Sequence, residues 1–429
     1  MLPDNERQGY VVSENYDVLI VGGGIVGTAA ALELQMRGRR VAIIDPGDPR
    51  GRSSYGNGGV ISRGSIFPMA GSSIWNGLLS YALGRSPAVR LRYRSLLGQL
   101  PWLVAFLRRC NDASWWEAAA PLNNLTALAF DAHMRLGAET GVRHLISRPG
   151  WIKVYRSQAA FDSSDLERRI LAAKGVKTEI LDPACLRALE PHLAPRFSHG
   201  IWFPETGTVD SPGQLMDAYH AAFRTRGGAH FAGKVDRLVQ DEDGVRATTG
   251  GRTITAAYGV VAAGAWSAEF IAGLGYKIPF TAERGYHRHY RLPARIALNR
   301  PIYDTGGSYA LVPMNGNVRL LSGVELAHPD DPANLTQLDS LVEDARATLS
   351  FEQPVPDSTW VGSRPSTPDG LPVIGKAPRH DRIVFAFGHG HIGFSTGPVT
   401  GQAVAALLAN EAPPLDLAPF AIERFARRR

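Results

Sequence analysis

Cysteine is nearly absent. Two residues in 429, Cys110 and Cys185, stand in no CxxC pair. That excludes a disulfide framework and a zinc site of clustered thiolates, and it suits a reducing compartment. An excess of one charge is lacking too. The formal balance is +6, and the one dense basic block is the terminal Arg427-Arg428-Arg429, so nucleic acid is not an expected partner. No long hydrophobic run occurs. The longest, Val18 to Leu32, is broken by four glycines and followed by Glu33, too short and interrupted to span a bilayer. Residues 1–15 are polar and carry acids, so a secretory signal is not expected. Internal repeats and low-complexity tracts are missing as well. What is there is ordinary globular composition, 44% hydrophobic and 20% charged, over a length that suggests two or three domains.

The first element, Tyr16 to Val21, is a short apolar run that reads as a buried parallel strand. Gly22-Gly-Gly-Ile-Val-Gly27 follows, then a helix from Thr28 to Arg37 stopped by Gly38, then a second buried strand, Arg40 to Ile44, ending at Asp45. Residues 46–65 read as loop, and about Ser72 to Thr140 as helical. Trp151–Tyr155 alternates like a strand. Helices are expected over Ser164–Lys174, after Asp182 as N-cap, over Gln214–Arg226, Asn334–Leu349 and about Pro398–Leu408. Strands are expected near Ala232–Leu238, Val245–Thr249, Gly259–Ala263, Tyr286–Tyr290, Tyr309–Pro313, Val318–Ser322 and Ile383–Phe387. The pattern predicts an α/β protein: a doubly wound, Rossmann-like dinucleotide-binding domain of discontinuous segments, with an α+β second domain between them. The expected boundaries are 1–66, 158–270 and 355–429 for the first, and 67–157 and 271–354 for the second.

A lone GxGxxG is weak, but here strand, glycines, helix and strand stand in full context. Asp45 follows 18 residues after Gly27, about where a ribose-binding acid belongs. Gly22 permits the tight turn, Gly24 lets backbone approach a pyrophosphate, and Gly27 lets the helix pack close. The helix start at Ile25 and Val26 offers free N–H groups to phosphates. No second GxGxxG occurs, which favours FAD over a two-nucleotide reductase. The loop Arg52 to Ile61 is small and glycine-rich, suited to a planar ring lying against backbone. Ser53, Ser54, Asn57, Gly58, Gly59 and Val60 are its candidate contacts. A buried strand ending in the turn Ala263-Gly264-Ala-Trp266 is another.

Nearer the C-terminus, Gly362-Ser-Arg-Pro-Ser-Thr-Pro368 holds Arg364 in a proline-flanked stretch. Arginine suits bidentate recognition of a carboxylate and does not titrate near neutrality. Gly388-His-Gly-His-Ile-Gly393 lies between a strand and a helix, where free N–H groups can meet an anionic ring edge. His389 and His391 alone do not make a metal site, and no metal is expected. Tyr286, His287 and Tyr309 are candidate donors to a carboxylate or amine. Ile74 to Leu83, with Arg85, Arg90, Arg92 and Arg94 behind it, mixes apolar bulk with cations. It suits a helix packed on the second domain, or an interfacial membrane helix.

These motifs together resemble the FAD-dependent family of D-amino acid oxidase, glycine oxidase and sarcosine oxidase. Within it the likeness is nearest to the bacterial D-amino acid dehydrogenase small subunit. It runs from Tyr16 to Phe425 and rests on the N-terminal fingerprint, Ser54–Gly59, Val260–Ser267, Arg284-Gly-Tyr286, Arg364–Gly375 and Gly388–Gly393. The resemblance implies FAD, non-covalent here because neither cysteine sits in a flavin-attachment motif. It adds Val235, Gly390, Ile392, Gly393 and Ser395 as flavin contacts beside those above. It implies Arg364 as the carboxylate anchor, and Tyr286, His287, Tyr309 and His389 as further residues near the chemistry. Where glycine oxidase has a basic residue after a Tyr-x-Val-Pro run, this chain has Met314, so one carboxylate-binding cation is absent. The expected reaction is oxidation of a D-amino acid or related small amino acid, with a quinone or other carrier as electron acceptor. The expected location is cytoplasmic, or peripheral on the inner face of the membrane. An oxygen-using glycine- or sarcosine-type oxidase, and a subunit of a complex oxidising opines or hydroxyproline, are the alternatives.

Overall fold

The computed structural model describes residues 15–426, apart from 70, 73 and 85. The polar N-terminal residues 1–14, Arg85 and the terminal arginines lie outside the described residues. The first strand, Asn15–Val21, is buried from Val18 onwards and pairs in parallel with both Val41–Asp45 and Arg252–Val261. Ala229–Ala232 extends this sheet on one side and His380–Phe387 on the other, both in parallel. Strands buried on both faces explain the near-continuous apolar runs read from the sequence. The expected strand across Ala232–Leu238 is instead two, Ala229–Ala232 and Val235–Gln240, separated at Gly233.

Two helices cover one face of that sheet. Ile25–Met36 follows the glycine turn, and Gly393–Ala409 packs along it. Small residues set their separation: a Cβ on Gly401 would lie 2.7 Å from the Ala29 carbonyl carbon, and one on Gly397 2.9 Å from Ile25. The C-terminal helix starts five residues earlier than Pro398 and carries that proline inside its second turn, at the loss of one helical hydrogen bond. Among the described residues the one helix long and apolar enough to cross a membrane is Gly390–Ala409, and 78% of its apolar window is buried inside the protein.

The second sheet has ten strands, mostly antiparallel. Its order runs Val89–Leu91, Val324–Leu326, Thr281–Arg291, Asn317–Leu321, Tyr309–Met314, Ile302–Asp304, Trp151–Tyr155, His199–Phe203 and Glu179–Leu181; Trp360–Ser366 also pairs with Thr281–Arg291. Glu179–Leu181 and His199–Phe203 thus join the sheet of Trp151–Tyr155, and Trp360–Ser366 joins that of Thr281–Arg291. The expected boundaries at 158 and 355 cut across these pairings. Short strands of three to five residues carry little periodicity, and only pairing shows where they belong. Residues 72–140 form four helices, Ile74–Ala82, Tyr93–Arg109, Asp112–Ala127 and Ala129–Glu139, with the strand Val89–Leu91 between the first two. Asp182 caps its helix as expected, accepting from the Cys185 N–H at 2.7 Å.

Candidate active site

A cavity of about 700 Å³ runs from the glycine turn to the second sheet. At one end lie Gly22, Gly24, Ile25, Val26 and Asp45. A Cβ on Gly24 would meet only Ser54 Oγ, at 3.5 Å, so the bare glycine leaves open space above the helix N-terminus. Gly22 has φ +109° and its Cβ would overlap the Ala262 carbonyl, so no other residue fits the turn. Ser54 Oγ accepts from the Ile25 N–H at 2.9 Å and so holds the loop against the helix start. Asp45 accepts from the Gly23 N–H at 2.8 Å and from the Arg52 guanidinium at 2.7 and 3.0 Å. Burial would raise its pKa, but Arg52 and the backbone donors outweigh burial and hold it below the usual carboxylate range. Arg52, which sequence reasoning passed over, is therefore the partner of the ribose-side acid.

The expected flavin contacts Ser53, Ser54, Asn57, Gly58 and Val60 all line the cavity, as do Val235, Ala263, Gly264 and Trp266, and Gly390, His391, Gly393 and Ser395. Two do not. Gly59 turns its carbonyl to the Val209 N–H at 2.7 Å, and Ile392 is buried in the core beneath the C-terminal helix. Both belong to the right segments, but a turn and a helical turn point successive residues in different directions. Met314, where a cation was missing, packs near Gly59.

The strand Thr281–Arg291 decides which groups meet at the far end. It pairs Glu283 with Arg364, Gly285 with Gly362 and His287 with Trp360. Directly paired residues share a face, so these six form one surface, with bare backbone at its centre. Arg364 reaches over that gap: a Cβ on Gly285 would lie 2.4 Å from Nη2. Among the described residues Arg364 makes no hydrogen bond and no ion pair, and it lines the cavity. Burial pulls its pKa below the usual guanidinium value, against the opposing field of Glu283.

Tyr286 lines the cavity, while alternation turns its ring to the opposite face of the strand. Its hydroxyl donates to Glu325 and accepts from the Asn334 N–H at 3.1 Å. Tyr309 is not among the lining residues, its hydroxyl engaged with Asp304 at 3.0 Å and Thr348 at 2.6 Å. Both rings are core residues. His287 does line the cavity, stacked between His289 and Trp360. Burial and the neighbouring Arg319 push its pKa well below the ordinary value. His389 bonds Thr400 Oγ1 at 3.0 Å, and burial lowers it to about 3. His391 presents its ring to the cavity, lowered to about 4 by burial and then by Arg364 and Lys153. Trp360, Gly362, Gly285 and Arg319 were not singled out as site residues; the only signal was their place beside Arg284-Gly-Tyr286 and Arg364. Arg319 donates to His289 Nε2 at 2.6 Å and to the Asn57 carbonyl, which ties the flavin loop to the second sheet.

A glycine-lined cleft at a helix start and an unpaired arginine facing it define a dinucleotide-dependent enzyme for an anionic substrate. Residues 17–407 match the model of the FAD dependent oxidoreductase family, DAO, and the chain belongs to that family. It is 34% identical over 424 residues to a D-amino-acid oxidase of Bradyrhizobium diazoefficiens, covering 96% of this chain and 99% of that one. It is 29% identical to a D-amino acid dehydrogenase of Xanthobacter autotrophicus, covering 95% and 99%. Among solved structures, glycine oxidase from Geobacillus kaustophilus superimposes with a TM-score of 0.73 at 25% identity, covering 97% and 99%. The protein is an FAD-dependent oxidoreductase acting on amino acids, with the two-part fold of that family. The open space over Gly24 at the positive end of the helix fits the pyrophosphate of the cofactor.

Proposed function

We propose that this enzyme oxidises the Cα–N bond of a D-amino acid, or of a related small amino acid, and acts as a dehydrogenase. The observation that carries this reading is Arg364: a half-buried guanidinium that, among the described residues, makes no ion pair or hydrogen bond, facing the cavity over the bare backbone of Gly285. A substrate carboxylate would complete it through two parallel hydrogen bonds. FAD supplies the hydride acceptor at its N5 position. The chain's own residues do the rest. Arg364 fixes the carboxylate and so aims the Cα–H. Trp360 and His287 wall the space beside it. His287 and His389 are held neutral by burial, so neither carries a positive charge against the substrate amine. The imine product hydrolyses in water to a 2-oxo acid, or stays cyclic when the substrate is a proline derivative.

A quinone or another carrier is the proposed electron acceptor. Support comes from the exposed apolar side chains Trp75, Leu78, Leu97, Leu100 and Val104 on two neighbouring helices, with Arg108 and Arg109 ending the second. That surface fits a peripheral contact with a membrane on its cytoplasmic face, where such a carrier is held. The second reading is an oxygen-using oxidase, favoured by the identity to the Bradyrhizobium protein. One experiment separates them. The purified yellow enzyme is given D-, L- and N-methyl amino acids, with a dye acceptor without air and then with air alone. Fast dye reduction with a D-amino acid and negligible peroxide supports the dehydrogenase. Peroxide at the same rate establishes the oxidase, and activity confined to L-amino acids would sink the stereochemical assignment.

A further inference from the structure

Glu283 is a carboxylate that the reading above does not use. It is 4% exposed, and its Oε2 has no hydrogen-bond partner. It is the directly paired neighbour of Arg364 across the sheet, yet the two lie beyond ion-pair distance. Every charged or titratable group around it can be named. On the strand Trp360–Ser366 there is Arg364, with the Ser366 hydroxyl beside it. On its own strand, Thr281 and Gly285 share its face. From the loop before the C-terminal helix comes the exposed His391, which lines the same small recess together with Thr367, Met69 and Phe106. The Arg284–Glu325 pair, at 3.7 Å, lies on the other face of the sheet. Among the described residues Arg364 is the charge whose field favours ionised Glu283, and Glu283 the one whose field favours charged Arg364.

We infer that Glu283 is the resting counter-ion of Arg364 and that a carboxylate bound at Arg364 displaces it electrostatically, so that Glu283 takes up a proton from solvent as the ligand binds. The inference rests on Arg364 being the carboxylate anchor. Its physics is charge balance in a poorly solvated site. Arginine and ionised glutamate sum to zero; adding a second anion leaves one uncompensated buried negative charge, which is costly. Protonating Glu283 restores neutrality. The negative charge passes from protein to ligand, and the proton comes from buffer. Burial already raises the Glu283 pKa above the ordinary carboxylate value, with Arg364 and Ser366 opposing, so the further rise on binding falls nearer neutral pH.

The test is calorimetric titration of the FAD-loaded enzyme with propionate, a carboxylate with no amine to oxidise, from pH 6.5 to 9 in buffers of different ionisation enthalpy. Propionate is fully ionised there and brings no proton. Wild type should take up as much as about one proton per bound propionate within that range. Glu283→Gln, still binding FAD and propionate, should take up none. A difference infrared spectrum of wild type should gain a protonated-carboxyl band on binding, which covers the case of a Gln variant that fails to fold. Propionate binding without proton uptake at any pH, or equal uptake by Glu283→Gln, overturns the inference alone. Equal binding by Arg364→Ala, or no binding by wild type, overturns the anchor reading and the inference with it.

Discussion

At the scale of single residues, the space over Gly285 is the most informative feature. Arg364 can lie flat against the strand only because position 285 carries no side chain, as the Trp360 ring can cover position 362 only because that position is bare too. Gly285→Ala should push the guanidinium aside, raising KM for the amino acid at least tenfold while the bound flavin spectrum stays unchanged. Arg364→Ala should keep FAD and lose on the order of 2–5 kcal/mol in kcat/KM. Arg364→Lys should recover only part, since an ammonium cannot reproduce the planar fork. Near-normal kcat/KM in the alanine variant would place the anchor elsewhere. The cavity histidines yield a third expectation. With His287 and His389 neutral from pH 6 upwards, neither of these cavity histidines titrates near neutrality. The substrate ammonium must lose its proton before hydride can leave, so kcat/KM should climb above pH 7 towards a plateau. A bell centred near pH 7, at full flavin occupancy, would contradict this. At this scale the sequence was readable where a residue's type dictated its use: Gly22, Gly24, Asp45 and Arg364. It was misleading for Tyr309, whose phenol suits a substrate or a buried carboxylate equally well. Only strand parity told that Tyr286 turns away from Arg364's face.

At the scale of elements, the cofactor end depends on how closely two helices approach. A Cβ added to Gly401 would lie 2.7–2.8 Å from the backbone of Ala29 and Ala30. Gly401→Val should force Ile25–Met36 outwards, costing roughly 1–3 kcal/mol in stability and weakening FAD binding through the displaced N-terminus. Thermal melts with and without added FAD would measure both; an unchanged Tm and flavin affinity would show that the helices can part freely. The first βαβ unit was legible because apolar run, glycine turn and helix followed one another in sequence. Glu179–Leu181 and His199–Phe203 were not, because strands this short are defined by Trp151–Tyr155 beside them. The Gly/His loop was legible as a helix start, although a 3-10 turn at Gly390–Ile392 brings that start forward to Gly393.

Across the whole molecule, histidines are spread through the interior as neutral groups. His133 bonds the Phe394 carbonyl and His220 the Gly23 carbonyl, each at 2.9 Å, and burial lowers both to about 4. An unfolded histidine titrates near 6.5. Between about 6.5 and 4 the unfolded chain therefore binds protons that the folded chain excludes, and stability falls as pH falls. Each histidine adds up to about 1.4 kcal/mol per pH unit in that window. Tm should be several degrees lower at pH 5 than at pH 7.5; a flat profile would mean that these rings charge without leaving their places. The links between the two sheets bear on a different property. Ser53 Oγ donates to the Ser363 carbonyl at 2.6 Å, Trp360 Nε1 to the Arg50 carbonyl at 2.7 Å, and Ser366 bridges to His389. The strand that bears Arg364 is thus fastened on both sides to the segments proposed to hold the flavin. A ring bound there would share one mounting with the guanidinium, like two jaws cut in a single block. Bending of the molecule elsewhere leaves their gap unaltered, so the outer helices and loops are free to diverge for new substrates and new electron acceptors without realigning the reaction.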